Sequence, residues 1–388
     1  MIMDSNILLK KFQIKIKLKD KKKLTKYLKN ITNSQWPDFL KSYKESYKYS
    51  YDRKIINKYK NFKNINIIGM GGSSLGAKAI YNFLINKIKK KISFFENLRL
   101  KNKKNQKALN IIISKSGNTL ETIVNSNLVI NEKNKNIFIT EKNNNYLKKL
   151  ASKLKSDVIE HKNFIGGRFS VLSEVGMLPS ELMGLNESKF KQYNNLIVKK
   201  KFISNLIDNA LCTYEFIKNK KFNSVILNYD TQSEDLLKWY QQLVSESLGK
   251  NSKGILPVIS TMPKDNHSVL QLYLSGFKPN FYTFYIVEEN ERKKLYSKFL
   301  YDEFAFLKNK NTFDILNSQR IATENIFKMR KIPFRSFYIK KRTEETLGKL
   351  FCFFTLEVIL LSNLLKINPL NQPEVELVKK ETFRILKK

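Results

Sequence analysis

The chain has 388 residues, 42% of them hydrophobic, enough for two or three domains with a substantial core. Its only cysteines, Cys212 and Cys352, lie far apart and its only histidines are His161 and His267; this excludes a disulfide framework, a paired-cysteine metal site and a zinc centre. The 72 Lys and Arg against 34 Asp and Glu give a formal charge of +38, but the excess runs from Lys10 to Lys388 with no separate basic arm. It reads as a solvated surface rich in A/T-coded lysine, asparagine and isoleucine, able to attract small anions, rather than as a nucleic-acid face.

The first residues, Met1 to Asn6, have no apolar core of signal-peptide length behind them, and with so few cysteines a cytoplasmic location is expected. Residues up to about Lys60 are polar and helix-prone, with Trp36 and the group Tyr43, Tyr47, Tyr49 and Tyr51 offering packing surface. A strand-like run from Asn64 leads into the turn Gly69-Met-Gly-Gly-Ser-Ser-Leu-Gly76 and a helix through Ile80, Phe83 and Leu84. Further β-branched runs follow from Ile92, Leu109, Asn136 and Ser156, with helices between them such as the one from Thr119 to Asn131. This alternation is a βαβ pattern.

A turn-rich stretch from Gly166 to Gly184 and a helical one from Lys189 to Lys218 separate that set from a second, with strand runs starting at Asn223, Ile255, Phe281 and Pro333. The pattern predicts an α/β protein of two tandem doubly wound parallel-sheet units: a helical segment 1–60, a first unit 61–186, a second 187–342, and a C-terminal helical tail 343–388. The apolar run from Leu350 to Leu365, interrupted by Thr355, Glu357, Ser362 and Asn363, falls short of the roughly 20 residues a bilayer crossing needs and reads as a buried helix, so no membrane partner is expected. Ligands in such sheets bind beyond the carboxyl ends of the strands.

The turn Gly69 to Gly76 follows a strand and opens a helix, so its backbone N–H groups can meet an anion without steric cost. As a dinucleotide fingerprint it has Ser74 where glycine is needed, although Glu96 stands at a suitable distance to hold a ribose. As a P-loop it has Ala77 where lysine is needed, with Lys78 one place late. A phosphate monoester is the third option. It gains from Ser114-Lys115-Ser116-Gly117-Asn118-Thr119, which again puts hydroxyls, a cation and a helix start together. The competing reading of each turn is a helix capped by its own serine or threonine.

With these motifs the chain resembles the glucose-6-phosphate isomerases, which carry two sugar-isomerase (SIS) domains of flavodoxin-like type. The family's first phosphate motif is matched by Gly69 to Gly76 and the second by Ser114, Lys115, Ser116 and Thr119. Its Gly-Gly-Arg segment is matched by Gly166-Gly167-Arg168, its catalytic-base segment by Glu246-Ser-Leu-Gly-Lys250, its ring-opening segment by His267-Ser-x-x-Gln271, and its C-terminal lysine segment by Gln372 to Lys379. Glu374 and Val378 replace two glycines expected in the last of these.

The resemblance implies that Glu246 is the base moving a proton between C2 and C1, that His267 and Lys379 open the sugar ring, and that Arg168 stabilises the enediolate. Gly72, Ser73, Ser114, Lys115, Ser116, Thr119, Gly167, Gln242 and Gln372 would bind the substrate. No cofactor or metal is implied. It also implies a homodimer in which His267 crosses the interface. Alternatives are a variant that also isomerises mannose 6-phosphate, a non-catalytic SIS protein that senses a sugar phosphate or binds nucleic acid, and a nicotinamide-dependent dehydrogenase. His161 is expected to be structural.

Overall fold

The computed structural model describes residues 2–33, 37–98, 107–288 and 293–388; Trp36 lies outside them. The chain opens with β1 (Ile2–Asp4), β2 (Ile7–Lys10), α1 (Leu18–Asn33) and α2 (Arg53–Tyr59). The first unit then runs through β3 (Asn64–Ile68), α3 (Leu75–Phe83), β4 (Lys91–Phe95), β5 (Leu109–Ile113), α4 (Leu120–Val129), β6 (Lys135–Thr140), α5 (Tyr146–Lys153), β7 (Asp157–Glu160) and α6 (Glu174–Leu182). After α7 (Tyr193–Ile197) and α8 (Lys200–Lys218), the second unit has β8 (Asn223–Asn228), α9 (Glu234–Leu248), β9 (Leu256–Thr261), α10 (Leu270–Ser275), β10 (Asn280–Val287), α11 (Thr312–Met329) and β11 (Phe334–Ile339). It ends with α12 (Glu344–Leu365) and α13 (Pro373–Leu386).

The first sheet has the order β4-β3-β5-β6-β7 with every pair parallel, the flavodoxin-like winding. Its register is pinned inside by amides: Asn66 donates to Asn110 and Asn110 to Asn136, each at 2.8 Å, between residues that stand directly opposite on β3, β5 and β6. Asn223 and Asn280 make the same bridge at 2.8 Å between β8 and β10. A buried amide is tolerated where its neighbour satisfies it, and a one-residue slip would break the contact.

The second sheet corrects the helical reading of residues 1–60. Its order is β1-β2-β11-β10-β8-β9. Four strands are parallel, and the fifth place is taken from the N-terminus by β2, antiparallel to β11, with β1 outside it. Ile7 and Leu9 alternate inward and are fully buried, the burial pattern of a strand with one covered face. Only four residues carry this strand, so the lysine-rich sequence after it dominates the local pattern.

A second correction concerns the C-terminal tail. α12 packs against α8 and α9 as a central helix of the main core, which also takes in the inner faces of both sheets. Among the described residues it is the one helix long and apolar enough to cross a membrane, and 89% of its apolar window is buried inside the protein. Burial, not shortness, makes it a core helix. Glu357, an oddity in that run, pairs with the buried Arg335 of β11, whose guanidinium also bonds Thr283 (3.1 Å) and Tyr240 (3.4 Å).

The tyrosine group packs on α6. Tyr47 donates to Glu174 (2.9 Å) and Tyr51 to Glu181 (2.7 Å). Between Tyr47 and Tyr49 lies the ammonium of Lys191, 5.2 and 4.8 Å from the two rings, donating to the carbonyls of Ser42 and Leu172. Burial pushes the Lys191 amine down to about 7, partly offset by Glu187 and Glu174. Between that value and the ordinary 10.5 the unfolded chain holds more protons than the folded one, so stability should rise with pH across this window and be lower beneath it. We expect the unfolding free energy of the native protein minus that of Lys191→Met to grow by about 1–3 kcal/mol from pH ~6 to pH ~9 in urea titrations. A difference independent of pH would contradict the buried ammonium.

Candidate active site

Both glycine- or serine-rich turns sit where parallel sheets leave room for ligands. The Gly69 to Gly76 turn leaves β3 and the Ser114 to Thr119 turn leaves β5, its hydrogen-bonded neighbour. A Cβ on Gly69 would lie 3.1 Å from the carbonyl of Ile113, so the two turns start side by side. Neither following helix is capped by its own cap hydroxyl: the side chains of Ser74, ahead of α3, and Thr119, ahead of α4, make no bond to the helix N–H groups. Asp52, Asn145, Ser173, Asn311 and Thr343 do cap other helices of the chain. The N-terminal amides of α3 and α4 thus have no side-chain oxygen of their own cap residue to bond.

In the second turn the hydroxyls of Ser114 and Thr119 bond each other at 2.8 Å, and the N–H of Gly117 donates to Ser114 Oγ at 3.2 Å. Ser116 is exposed and accepts from the N–H of Asn118 at 3.3 Å. Lys115 is engaged by the protein, donating to the Asn163 carbonyl at 2.6 Å with Glu141 at 3.7 Å.

Glycine brings the first turn onto two other elements. Gly71 has φ +53°, and a Cβ there would lie 2.9 Å from Gln242 Nε2 of α9. At Gly72 a Cβ would come within 2.2 Å of the backbone of Gly167, at the start of the 3-10 segment Gly167–Leu172 that carries Arg168. Half-buried Ser73 lies between this contact and α3. No residue with a side chain fits at 72 without separating the two segments.

α9 begins with Glu234 and Asp235, which suit a helix N-terminus. It buries one face through Leu236, Tyr240, Leu243 and Ser247. Gln242 and Glu246, four residues apart on another face, meet: Gln242 Nε2 donates to Glu246 Oε1 at 2.7 Å. The second carboxylate oxygen of Glu246 accepts from Arg168 Nη1 at 3.0 Å. Arg168 is buried, with 4% of its side chain exposed. It also donates to Ser247 Oγ (3.0 Å), to Gln372 Oε1 (2.9 Å) and to the carbonyl of Pro369. Burial holds its pKa below the ordinary arginine value and the Glu246 carboxylate works against that, so the guanidinium stays charged. Gln242 Oε1 is buried without a partner.

Glu246 lines a cavity of about 600 Å³ together with Ser245, Gly249, Lys250, Gln372 and Glu374. Lys250 stands out in the sequence only as the end of a motif. Its amine donates to the carbonyls of Ser247 (3.1 Å) and Asn368 (2.7 Å), and burial, then the neighbouring Arg168, push it down to about 8. Ser247 and Lys250 were legible as neighbours of Glu246; the carbonyls of Asn368 and Pro369 carry no residue-specific signal.

The structure thus gathers Gly72, Gly167, Arg168, Gln242, Glu246 and Gln372, with Ser73 and the Ser114 to Thr119 turn alongside. It does not bring His267 or Lys379 to them. His267 is exposed at the end of the 3-10 turn Lys264–His267, after β9. Lys379 is exposed on α13, paired with Glu376 at 2.7 Å, and α13 buries none of its residues. His161, by contrast, is buried with Nδ1 3.1 Å from the Lys162 carbonyl, and burial pushes it down to about 4. Among the described residues no cluster of three His, Cys, Asp or Glu is placed to hold a metal ion.

The close approach at Gly72 generates a test. Gly72→Ala should lower the unfolding free energy by about 1–3 kcal/mol, since the added carbon must push two backbone segments apart. Gly166→Ala, whose carbon would meet only the Phe169 ring at 3.5 Å, should cost under about 0.5 kcal/mol. Equal losses in denaturant titrations would show that the packing of the two segments is not what glycine serves.

Comparison with known proteins places the chain in a family. The sequence model described as Phosphoglucose isomerase matches residues 38–388. The glucose-6-phosphate isomerase of Methanocaldococcus jannaschii is 33% identical over 353 residues, covering 86% of this chain and 87% of its own. That of Mycoplasmopsis synoviae is 31% identical, covering 83% and 82%. Among solved structures, a hypothetical protein from Thermus thermophilus superposes with a TM-score of 0.79 at 20% identity over 95% and 94% of the two chains. A glucose-6-phosphate isomerase from Chlamydia trachomatis does so with 0.70 at 19% over 86% and 72%, a likeness of fold. On the match across 38–388 and these identities, the chain belongs to the phosphoglucose isomerase family.

Proposed function

We propose that the protein interconverts D-glucose 6-phosphate and D-fructose 6-phosphate, as the isomerase of glycolysis and gluconeogenesis, in the cytoplasm and as a homodimer. The observation that carries this reading is the carboxylate of Glu246. It is fixed between Gln242 and Arg168 and faces a cavity, and Gln242 in turn lies against a glycine turn suited to an anion.

In this reading the phosphate dianion lies on the two turns, held by Ser73, Ser114, Ser116, Thr119 and the open amides of α3 and α4. Lys115 supplies positive charge at the rim. Gly72 and Gly167 let the backbone approach closely. Glu246 takes the proton from C2 of the open-chain sugar; the C–H electron pair forms the C1–C2 double bond and the carbonyl electrons move to O1. The same carboxylate returns the proton to C1 while the O2 proton passes to O1 and the O2–H electrons form the C2 carbonyl, giving the ketose with a hydroxyl on C1. Arg168, a permanent cation in a desolvated place, stabilises the negative charge between the two steps. Gln242 and Gln372 hold Glu246 and Arg168 in position.

Ring opening falls to His267 and Lys379, which stand apart from Glu246 within one chain. His267 would come from a second copy. Lys379 would come from α13 folding over the cavity that its first turn already borders through Gln372 and Glu374. The +38 charge would raise the encounter rate with anionic substrates at low salt.

A coupled assay on fructose 6-phosphate tests the activity. Glu246→Gln should still bind the sugar phosphate while losing C2 proton exchange, with kcat down by about 10²- to 10⁴-fold; retained exchange would overturn the role. Mixing Glu246→Gln with His267→Ala protein after co-refolding should restore about a quarter of native activity, because half the dimers then carry one intact site. Two inactive variants that stay inactive when mixed would place His267 elsewhere.

A further inference from the structure

A second cavity, of about 560 Å³, lies at the amino-terminal side of β8 and β11 and shares no lining residue with the Glu246 cavity. Its walls come from the end of β2 and the segment after it, from the end of α8 and the approach to β8, and from the end of α11 and the approach to β11. Five of its thirteen lining residues are lysines: Lys10, Lys15, Lys221, Lys328 and Lys331. Lys and Arg together make up 72 of 388 residues in the chain, so the wall is about twice as basic as composition alone would make it.

Lys10 is compensated, by Glu324 at 3.2 Å and by the Phe334 ring at 4.4 Å; the other four lysines have no carboxylate partner among the described residues. The one carboxylate on the wall, Glu215, is already bound to Lys218 at 2.8 Å. Lys15, Lys328 and Lys331 are exposed and make no ion pair with a described residue. Lys221 donates only to a carbonyl, that of Lys278, at 2.6 Å. Burial, followed by the Lys278 ammonium, holds its amine below the ordinary range. Ile14, Phe216, Ile332 and Phe334 add apolar surface to the same lining, which weakens dielectric screening of any charge pair formed there. Lys221, Lys328 and Lys331 could each be explained as cations complementing the carboxyl ends of α8 and α11. Lys15 could not, since it comes from the segment after β2.

We propose that this cavity is a binding site for small condensed phosphates, of diphosphate or triphosphate type. Several unpaired ammoniums on converging walls match a compact ligand with several negative charges better than a monoester dianion. A concavity closed by three elements suits a small molecule better than an extended strand of nucleic acid, whose footprint would be an open stripe.

The probe is inorganic tripolyphosphate, titrated calorimetrically into the full chain at about 150 mM salt, where exposed charges are screened beyond ~8 Å. Saturating fructose 6-phosphate is present so that the sugar-phosphate turns are occupied. One saturable site is expected, weakened by roughly ten-fold or more in Lys328→Glu/Lys331→Glu, with isomerase turnover and melting temperature unchanged in that variant. Absence of binding at this salt, binding undiminished in the double variant, or equal binding of orthophosphate would each overturn the proposal. So would a single-stranded oligonucleotide that binds more tightly than tripolyphosphate and is lost in the same variant. If the lysines serve only the helix ends, charge reversal would lower the melting temperature and no tripolyphosphate would bind.

Discussion

The guanidinium of Arg168 is the contact on which the site depends. One planar, permanently charged group reaches Glu246, Ser247, Gln372 and the Pro369 carbonyl. It thereby ties the end of α9, the connector after α12 and the segment packed on the first glycine turn into one unit. Removing such a cation from water costs several kcal/mol unless its donors are met, and four acceptors of the protein meet them. Lysine could not replace it, having no fork of donors in a fixed plane. Lys250 and Lys253 extend the same clamp, donating to the carbonyls of Asn368 and Leu365. The segment leading to α13 is therefore held by two cations, Arg168 and Lys250, with Lys253 on the end of α12 before it, whereas α13 itself is not held at all by burial.

Around that contact two sheets of related winding are completed differently. The first closes its order with its own parallel β7; the second borrows β2. α12 lies in the core they share, and its buried Glu357 is balanced by Arg335. That arrangement presents α9 to the carboxyl side of the first sheet, so the proton-moving carboxylate and the anion-binding turns come from different units of the chain.

Most of this was legible in the sequence, for identifiable reasons. The strands of both parallel sets appear as short β-branched runs between turns, and each begins within a residue or so of its expected place. The turns announced themselves because glycine is required by contact: position 72 has backbone against it. The N-terminal strands were not legible, because four residues ahead of a lysine-rich stretch give no alternation to recognise, and their pairing partner lies over 300 residues away. Glu246 was recognisable by its motif, but its contact with Arg168 was not, since 78 residues separate them. His267 and Lys379 show the opposite limit. The His267 motif is intact and the Lys379 motif departs only at Glu374 and Val378, yet a single chain leaves both side chains in solvent; a motif names the residue and not the chain or the helix position from which it reaches the site.

The position of β2 also orders the making of the molecule. Strands β3 to β7 are consecutive in the chain, so the first sheet has all its members as soon as residue 160 has been synthesised. The second sheet does not: β2, made about 320 residues before β11, must wait for residues 334–339 before it has a neighbour on that side. Until then its apolar Ile7 and Leu9 have no sheet to enter, and the loop that finally closes spans most of the chain, the kind of distant pairing that slows folding. The two halves thus mature in sequence rather than in parallel, and β2 stays exposed to wrong partners for as long as the rest of the chain is being made.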